Sequence, residues 1–119
     1  MKILIVDDSL GLAHIIMRML EEERHEVRLA RSARDGYLTY LLFKPDVIIT
    51  DIQMPGKNGL ELMKLIRNHN PDVKAIYISA DLDQYWPILE KEKTRYSVNC
   101  LQKPFSKGEL MKLLSDSSN

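Results

Sequence analysis

Short apolar stretches alternate along this chain with longer segments whose hydrophobic residues recur at helical spacing, and this alternation restricts the fold more than any other feature. It signals repeated βα units, in which parallel strands are joined by crossover helices. Five strands are expected, at about residues 2–6, 26–30, 46–50, 73–79 and 98–102. The third carries Val47, Ile48 and Ile49 without a polar break, as a strand covered on both faces requires. The expected architecture is a five-stranded parallel sheet of order 2-1-3-4-5, doubly wound as a (βα)5 three-layer α/β/α sandwich.

The intervening helices differ in clarity. Residues 10–23 place Ala13, Ile16, Met17 and Leu20 on one stripe, with Asp8 or Ser9 available as a cap. A second helix over 33–42 stops before Lys44-Pro45, and a third opens at Gly59, buries Leu60, Met63, Leu65 and Ile66, and ends near Asn70-Pro71. Residues 83–96 have a weak pattern: Pro87 suits only a first turn, and Glu90-Lys91-Glu92-Lys93 reads as a solvated charge run. Ser106 can cap a last helix through Leu110, Leu113 and Leu114. Met17, Met19 and Met63 read as core filler, and Cys100 as a small buried hydrophobe on a central strand.

At 119 residues the chain suits one domain over 1–119, with 115–119 as a frayed tail or the start of a linker. Lys plus Arg and Asp plus Glu number 17 each, so there is no basic excess of the kind nucleic-acid binding uses. No apolar run approaches the roughly 20 residues that span a bilayer. A lone cysteine and a start without a leader pattern favour a reducing cytoplasm. The expected state is a monomer or weak homodimer. His14, His25 and His69 have no partner at metal or catalytic spacing and read as structural or solvated.

Doubly wound sheets bind ligands beyond the carboxyl ends of their strands. Asp7 and Asp8 follow the first strand, Asp51 the third, Ser79 the fourth and Lys103 the fifth. Three carboxylates in one crevice repel one another, so they must bind protons, pair with a cation or hold a metal. All-oxygen ligation suits a hard divalent ion, Mg²⁺ with Mn²⁺ as a substitute. Mg²⁺, the Lys103 ammonium and a free carboxylate together can receive a phosphoryl group by in-line transfer, with Asp51 as acceptor.

The residues Ile5-Val6-Asp7-Asp8-Ser9, Pro45-Asp46-Val47-Ile48-Ile49-Thr50-Asp51-Ile52-Gln53-Met54-Pro55-Gly56, Gly59, Ile78-Ser79-Ala80 and Lys103-Pro104-Phe105 make the chain resemble a response-regulator receiver domain from Ile3 to about Leu114. The resemblance implies a phosphorelay module that takes a phosphoryl group from a histidine kinase or phosphotransfer protein onto Asp51. It further implies Mg²⁺ held by Asp8, Asp51 and the Gln53 backbone carbonyl, with Asp7 acting through a bridging water. Lys103 would pair with the phosphoryl group, Ser79 would move to hydrogen-bond it, and the Lys103-Pro104 peptide bond would be cis. Such a domain is not a turnover enzyme; it catalyses only its own phosphorylation and dephosphorylation, and its output partner is not encoded in these motifs.

The chain departs from the family at Cys100, where receivers commonly carry Tyr or Phe three residues before the lysine, and at Ser97-Val98, where Gly-Ala is usual. These departures keep a second reading open, a pseudo-receiver that binds partners independently of phosphate. A phosphatase using an Asp nucleophile is disfavoured because Asp7-Asp8-Ser9 lacks its Asp-x-Asp spacing. Flavodoxin-like cofactor binding is disfavoured because two carboxylates stand where a phosphate would lie. Gln53 and Asp81 flank the path of water to the phosphorus and are expected to set acyl-phosphate lifetime. Tyr85 and Trp86 could cover the sheet edge or meet a partner.

Overall fold

A computed structural model describes residues 1–117. The strands are β1 (Lys2–Val6), β2 (Glu26–Ala30), β3 (Val47–Asp51), β4 (Lys74–Ser79) and β5 (Val98–Gln102). They form one parallel sheet in the order β2-β1-β3-β4-β5, as the alternation predicts. The helices are α1 (Leu10–Glu22), α2 (Ala33–Phe43), α3 (Gly59–Arg67), α4 (Trp86–Lys93) and α5 (Lys107–Ser117). Among the described residues, no helix is long and apolar enough to cross a membrane.

Alternate residues of the strands feed two cores. Ile3, Ile5, Val47 and Ile49 point to α1 and α5, meeting Ala13, Ile16, Leu20, Leu110 and Leu114. Leu4, Val6 and Ile48 pack with α2, α3 and α4, including Tyr40, Leu62, Met63, Ile66 and Leu89. Because β1 and β3 are covered on both sides, their apolar runs show no polar alternation. The starts of α2, α3 and α5 are capped by side chains: Ser32 accepts from Asp35 N at 3.1 Å, and Asn58 with Glu61, like Ser106 with Glu109, forms a reciprocal box.

Several expectations are corrected. Ser9 stands at the start of α1 but its side chain makes no capping bond; its own N–H is taken by Asp7 Oδ1 at 2.8 Å. Gly59, Leu62, Met63 and Ile66 define the buried stripe of α3 at i, i+3, i+4 and i+7, so Leu65 falls outside it and is exposed. Met63 is fully buried, whereas Met17 and Met19 only border the core. Residues 82–85 form a separate 3-10 turn ahead of α4, where Pro87 takes a first-turn position. Glu92, read as solvated, is buried against Arg67. β5 pairs only with β4 and is an edge strand, so Cys100 is half-buried rather than central. Residues 115–117, expected to fray, continue α5, and 118–119 lie outside the described residues.

Tyr85 packs partly against the core while Trp86 is exposed with Lys93 Nζ 4.6 Å from its ring. The histidines hold chain groups: His69 bonds the Tyr37 hydroxyl at 2.6 Å, His14 the Leu10 carbonyl, and His25 the amino terminus.

Candidate functional site

The carboxyl edge of the sheet is fixed by backbone hydrogen bonds that extend past the strands. Asp7 N–H donates to the Ala30 carbonyl at 3.0 Å, Ile52 N–H to Ile78 at 3.0 Å, and Lys103 N–H to Ser79 at 2.8 Å. Asp7, Asp51, Ser79 and Lys103 are therefore each held at the last rung of a strand or one step beyond it, and Asp8 follows one residue later. The start of α3 presses onto the same edge. A methyl group added to Gly59 would lie 2.3 Å from the Asp51 carbonyl oxygen and 3.0 Å from Thr50 Oγ1, so only glycine lets the helix begin there. Gly59 N–H donates to the Ile52 carbonyl at 2.9 Å, and Thr50 Oγ1 donates to the Asp51 carbonyl at 2.9 Å. In the loop between them Gly56 takes φ +78°, a left-handed turn that glycine accommodates without strain.

Asp7, Asp8 and Asp51 each offer a carboxylate oxygen within 4.8 Å of the others. Asp7 and Asp51 are buried, and Asp8 is exposed at the mouth. Lys103 reaches in from the far strand, with Nζ 3.1 Å from Asp51 Oδ2. The Lys103-Pro104 peptide bond is cis. Burial pushes the Asp7 carboxyl above the usual carboxylate range, and the Asp51 charge adds to that, although the Ser9 N–H opposes it. One ammonium thus stands against three carboxylates. A hard divalent cation fits this donor set, which is all oxygen and short of positive charge.

Ser79 is buried on the strand beside Asp51, and its Oγ accepts the Asp81 N–H at 3.0 Å. Gln53 is exposed two residues beyond Asp51, its side chain turned toward Gln84 Oε1 at 3.5 Å. Asp81 in turn accepts the Gln84 N–H at 3.4 Å, so Asp81, Gln84 and Gln53 form one rim. Sequence reasoning missed Gln102, which precedes the lysine. Its amide bonds the carbonyls of Ala80 and Lys103 and accepts the Leu82 N–H at 3.1 Å, stitching the loop after β4 to β5. Cys100 faces Tyr77 in register, and burial raises its thiol, so this position supplies neither a ring nor a reactive thiolate.

The sequence profile of the response regulator receiver domain matches residues 3–115. The chain is 33% identical over 111 residues to the transcriptional regulatory protein KdpE of Staphylococcus aureus, a match covering 92% of this chain and 46% of KdpE. It is 30% identical over 120 residues to the protein PilH of Pseudomonas aeruginosa, covering 96% of this chain and 94% of PilH. The response regulator TrrA of Thermotoga maritima, solved with Mg²⁺ and BeF, superposes with a TM-score of 0.85 at 28% identity, over 98% of this chain and 97% of TrrA. Several other curated relatives are longer proteins, of which the chain spans about a quarter to a third. Since the profile runs from β1 into α5 and so takes in every strand whose end meets the carboxylate pocket, the chain belongs to the response regulator receiver domain family of two-component signalling.

Proposed function

We propose that Asp51 accepts a phosphoryl group from a histidine kinase or phosphotransfer protein, and that the modified domain signals by changing the surface it offers to a protein partner. The observation that carries this reading is the Lys103 to Asp51 contact of 3.1 Å made beside two further carboxylates. A structural ion pair has no use for the extra negative charge, whereas a phosphoacceptor site that recruits a cation does. Asp8, Asp51 and the Gln53 backbone carbonyl would hold Mg²⁺, with Asp7 acting through water. When bound, the ion neutralises the carboxylates and the charge on the phosphoryl oxygens.

The chain's own groups have distinct roles. Asp51 supplies the attacking oxygen, held in place by the Gly59 and Thr50 contacts on its backbone. Lys103 offers a fixed positive charge to the transferred group. The Ser79 hydroxyl donates to a phosphoryl oxygen, and its movement toward that oxygen breaks the Asp81 N–H bond and releases the loop after β4. Gln53 and Asp81 govern how water reaches the phosphorus. The chemistry acts on the domain itself, one phosphoryl group per chain.

Incubation with a small phosphodonor and Mg²⁺ is expected to add the mass of one phosphoryl group, absent in Asp51→Asn; an unchanged mass in the folded wild type rejects the reading. A phosphate-independent interaction module, the alternative raised by Cys100, predicts that beryllofluoride perturbs backbone NMR signals only at the pocket. Shifts spreading through the loop after β4 and into α4 count against that alternative.

A further inference from the structure

Where α3 meets α4, the chain builds a second place of uncompensated charge, of opposite sign and sharing no residue with the carboxylate pocket. A cavity of about 490 Å³ lies among Lys64, Arg67, Lys91 and Arg95, with Ile88 and Tyr96 in its wall. Arg67 is 6% exposed, and its guanidinium is used on one side only. Nη1 donates to Glu92 Oε1 at 2.8 Å and to the Tyr77 hydroxyl at 3.4 Å. Nε and Nη2 are buried and have no hydrogen-bond partner. Buried N–H groups are rarely left unpaired, because the loss of water is then uncompensated.

The position of the two orphan nitrogens defines their partner. Nε and Nη2 form the side edge of the guanidinium, whose parallel N–H groups match two oxygens of one oxyanion. Glu92 is already committed to Arg67 and Tyr77, so Lys64, Lys91 and Arg95 are the excess charge around the cavity. That excess suits a dianion better than a single carboxylate. The Tyr96 ring has Arg67 Cζ at 4.2 Å and Arg95 Cζ at 5.5 Å from its centroid and, with Ile88, gives the cleft a flat apolar wall once the exposed Arg95 swings aside. We propose that this cleft binds a phosphate monoester with a flat or apolar body, of mononucleotide size, its phosphate on the Arg67 side edge and its body against Tyr96 and Ile88. The ring must turn to admit the oxyanion, and Tyr96 sits in the short turn between α4 and β5, outside the helix.

The test is an NMR titration of the full chain without Mg²⁺, using AMP, inorganic phosphate and adenosine as probes. AMP is expected to give saturable shifts at the amides of residues 64–68 and 88–96, inorganic phosphate weaker binding at the same amides, and adenosine none. The double variant Lys91→Gln, Arg95→Gln removes two exposed cations, Arg95 being the one over the outer side of the Tyr96 ring, and spares the buried pair. It should weaken AMP about tenfold, the scale of one lost charge-assisted contact. Arg67→Lys keeps the charge but lacks the fork, and should lose AMP while the same spectrum reports its fold. The proposal is overturned by absence of AMP shifts at these amides, by equal affinity in the double variant, or by equal shifts from adenosine. Inorganic phosphate binding as tightly as AMP overturns the assignment of a monoester.

Discussion

Two buried carboxylates of this domain each meet one cation at similar range, yet their surroundings give them opposite parts. Glu92 bonds Arg67 at 2.8 Å and receives the Tyr77 hydroxyl at 2.6 Å, with both ionic side chains largely buried. Burial raises the Tyr77 hydroxyl far above its usual range, which keeps it protonated as a donor. Asp51 bonds Lys103 at 3.1 Å, but Lys103 is a quarter exposed and two more carboxylates stand alongside. The first carboxylate takes both bonds on Oε1 and ties α4 to α3 and β4. The second is one of three that share a single ammonium. Removing a negative charge should therefore damage the first site and relieve the other.

The largest effect is expected from Glu92→Gln, which leaves Arg67 buried without its counter-charge and should cost about 3–5 kcal/mol in urea unfolding. A loss below about 1 kcal/mol, the range of a surface pair, would erase the contrast between the sites. Gly59→Ala should cost about 1–3 kcal/mol, because the added methyl meets the Asp51 backbone at 2.3 Å, and should also slow phosphorylation by displacing that residue. An unfolding curve and a phosphodonor time course check the two parts separately.

Asp7→Asn should move stability the other way. The folded-state carboxyl titrates above its ordinary value of 3.8, so the native protein holds this proton more tightly than the unfolded chain does. Stability is thus lost as pH rises through that range, and is regained in a side chain that carries no charge. In metal-free buffer the variant should melt above wild type at neutral pH, with the gap closing under acid. A variant that melts lower at neutral pH would show that Asp7 is already compensated. The smallest effect concerns the rim: Gln53→Ala and Asp81→Ala should alter the acyl-phosphate lifetime several-fold without changing the fold. Equal dephosphorylation rates in both variants and wild type would remove them from the water path.

The pocket was legible because its residues sit at the ends of recognisable strands. Once Val47-Ile48-Ile49 reads as a covered strand, Asp51 must lie at the ligand-binding edge, and Asp7, Ser79 and Lys103 follow by the same reasoning. The α3 to α4 junction was hidden for a complementary reason. Glu92 lies in an alternating charge run that reads as solvated, and its burial depends on Arg67 and Tyr77, distant in the chain, being brought to it by packing. Leu65 falls among the apolar residues Leu60, Leu62, Met63 and Ile66, which offer more than one stripe, and the choice between them depends on how α3 rotates against the sheet. The apolar residues around Cys100, Val98 and Leu101, suggest a central strand, but the strand order itself puts the fifth strand at the edge.

The strand-end pocket sets one ammonium, that of Lys103, against three carboxylates and stays short of positive charge until a cation joins it. The most direct test is melting temperature against Mg²⁺ concentration for wild type and Asp51→Asn. A saturating rise in wild type that Asp51→Asn fails to show is the predicted result, since an ion bound only by the folded state stabilises it by mass action. No rise in wild type, or the same rise in both proteins, would contradict it.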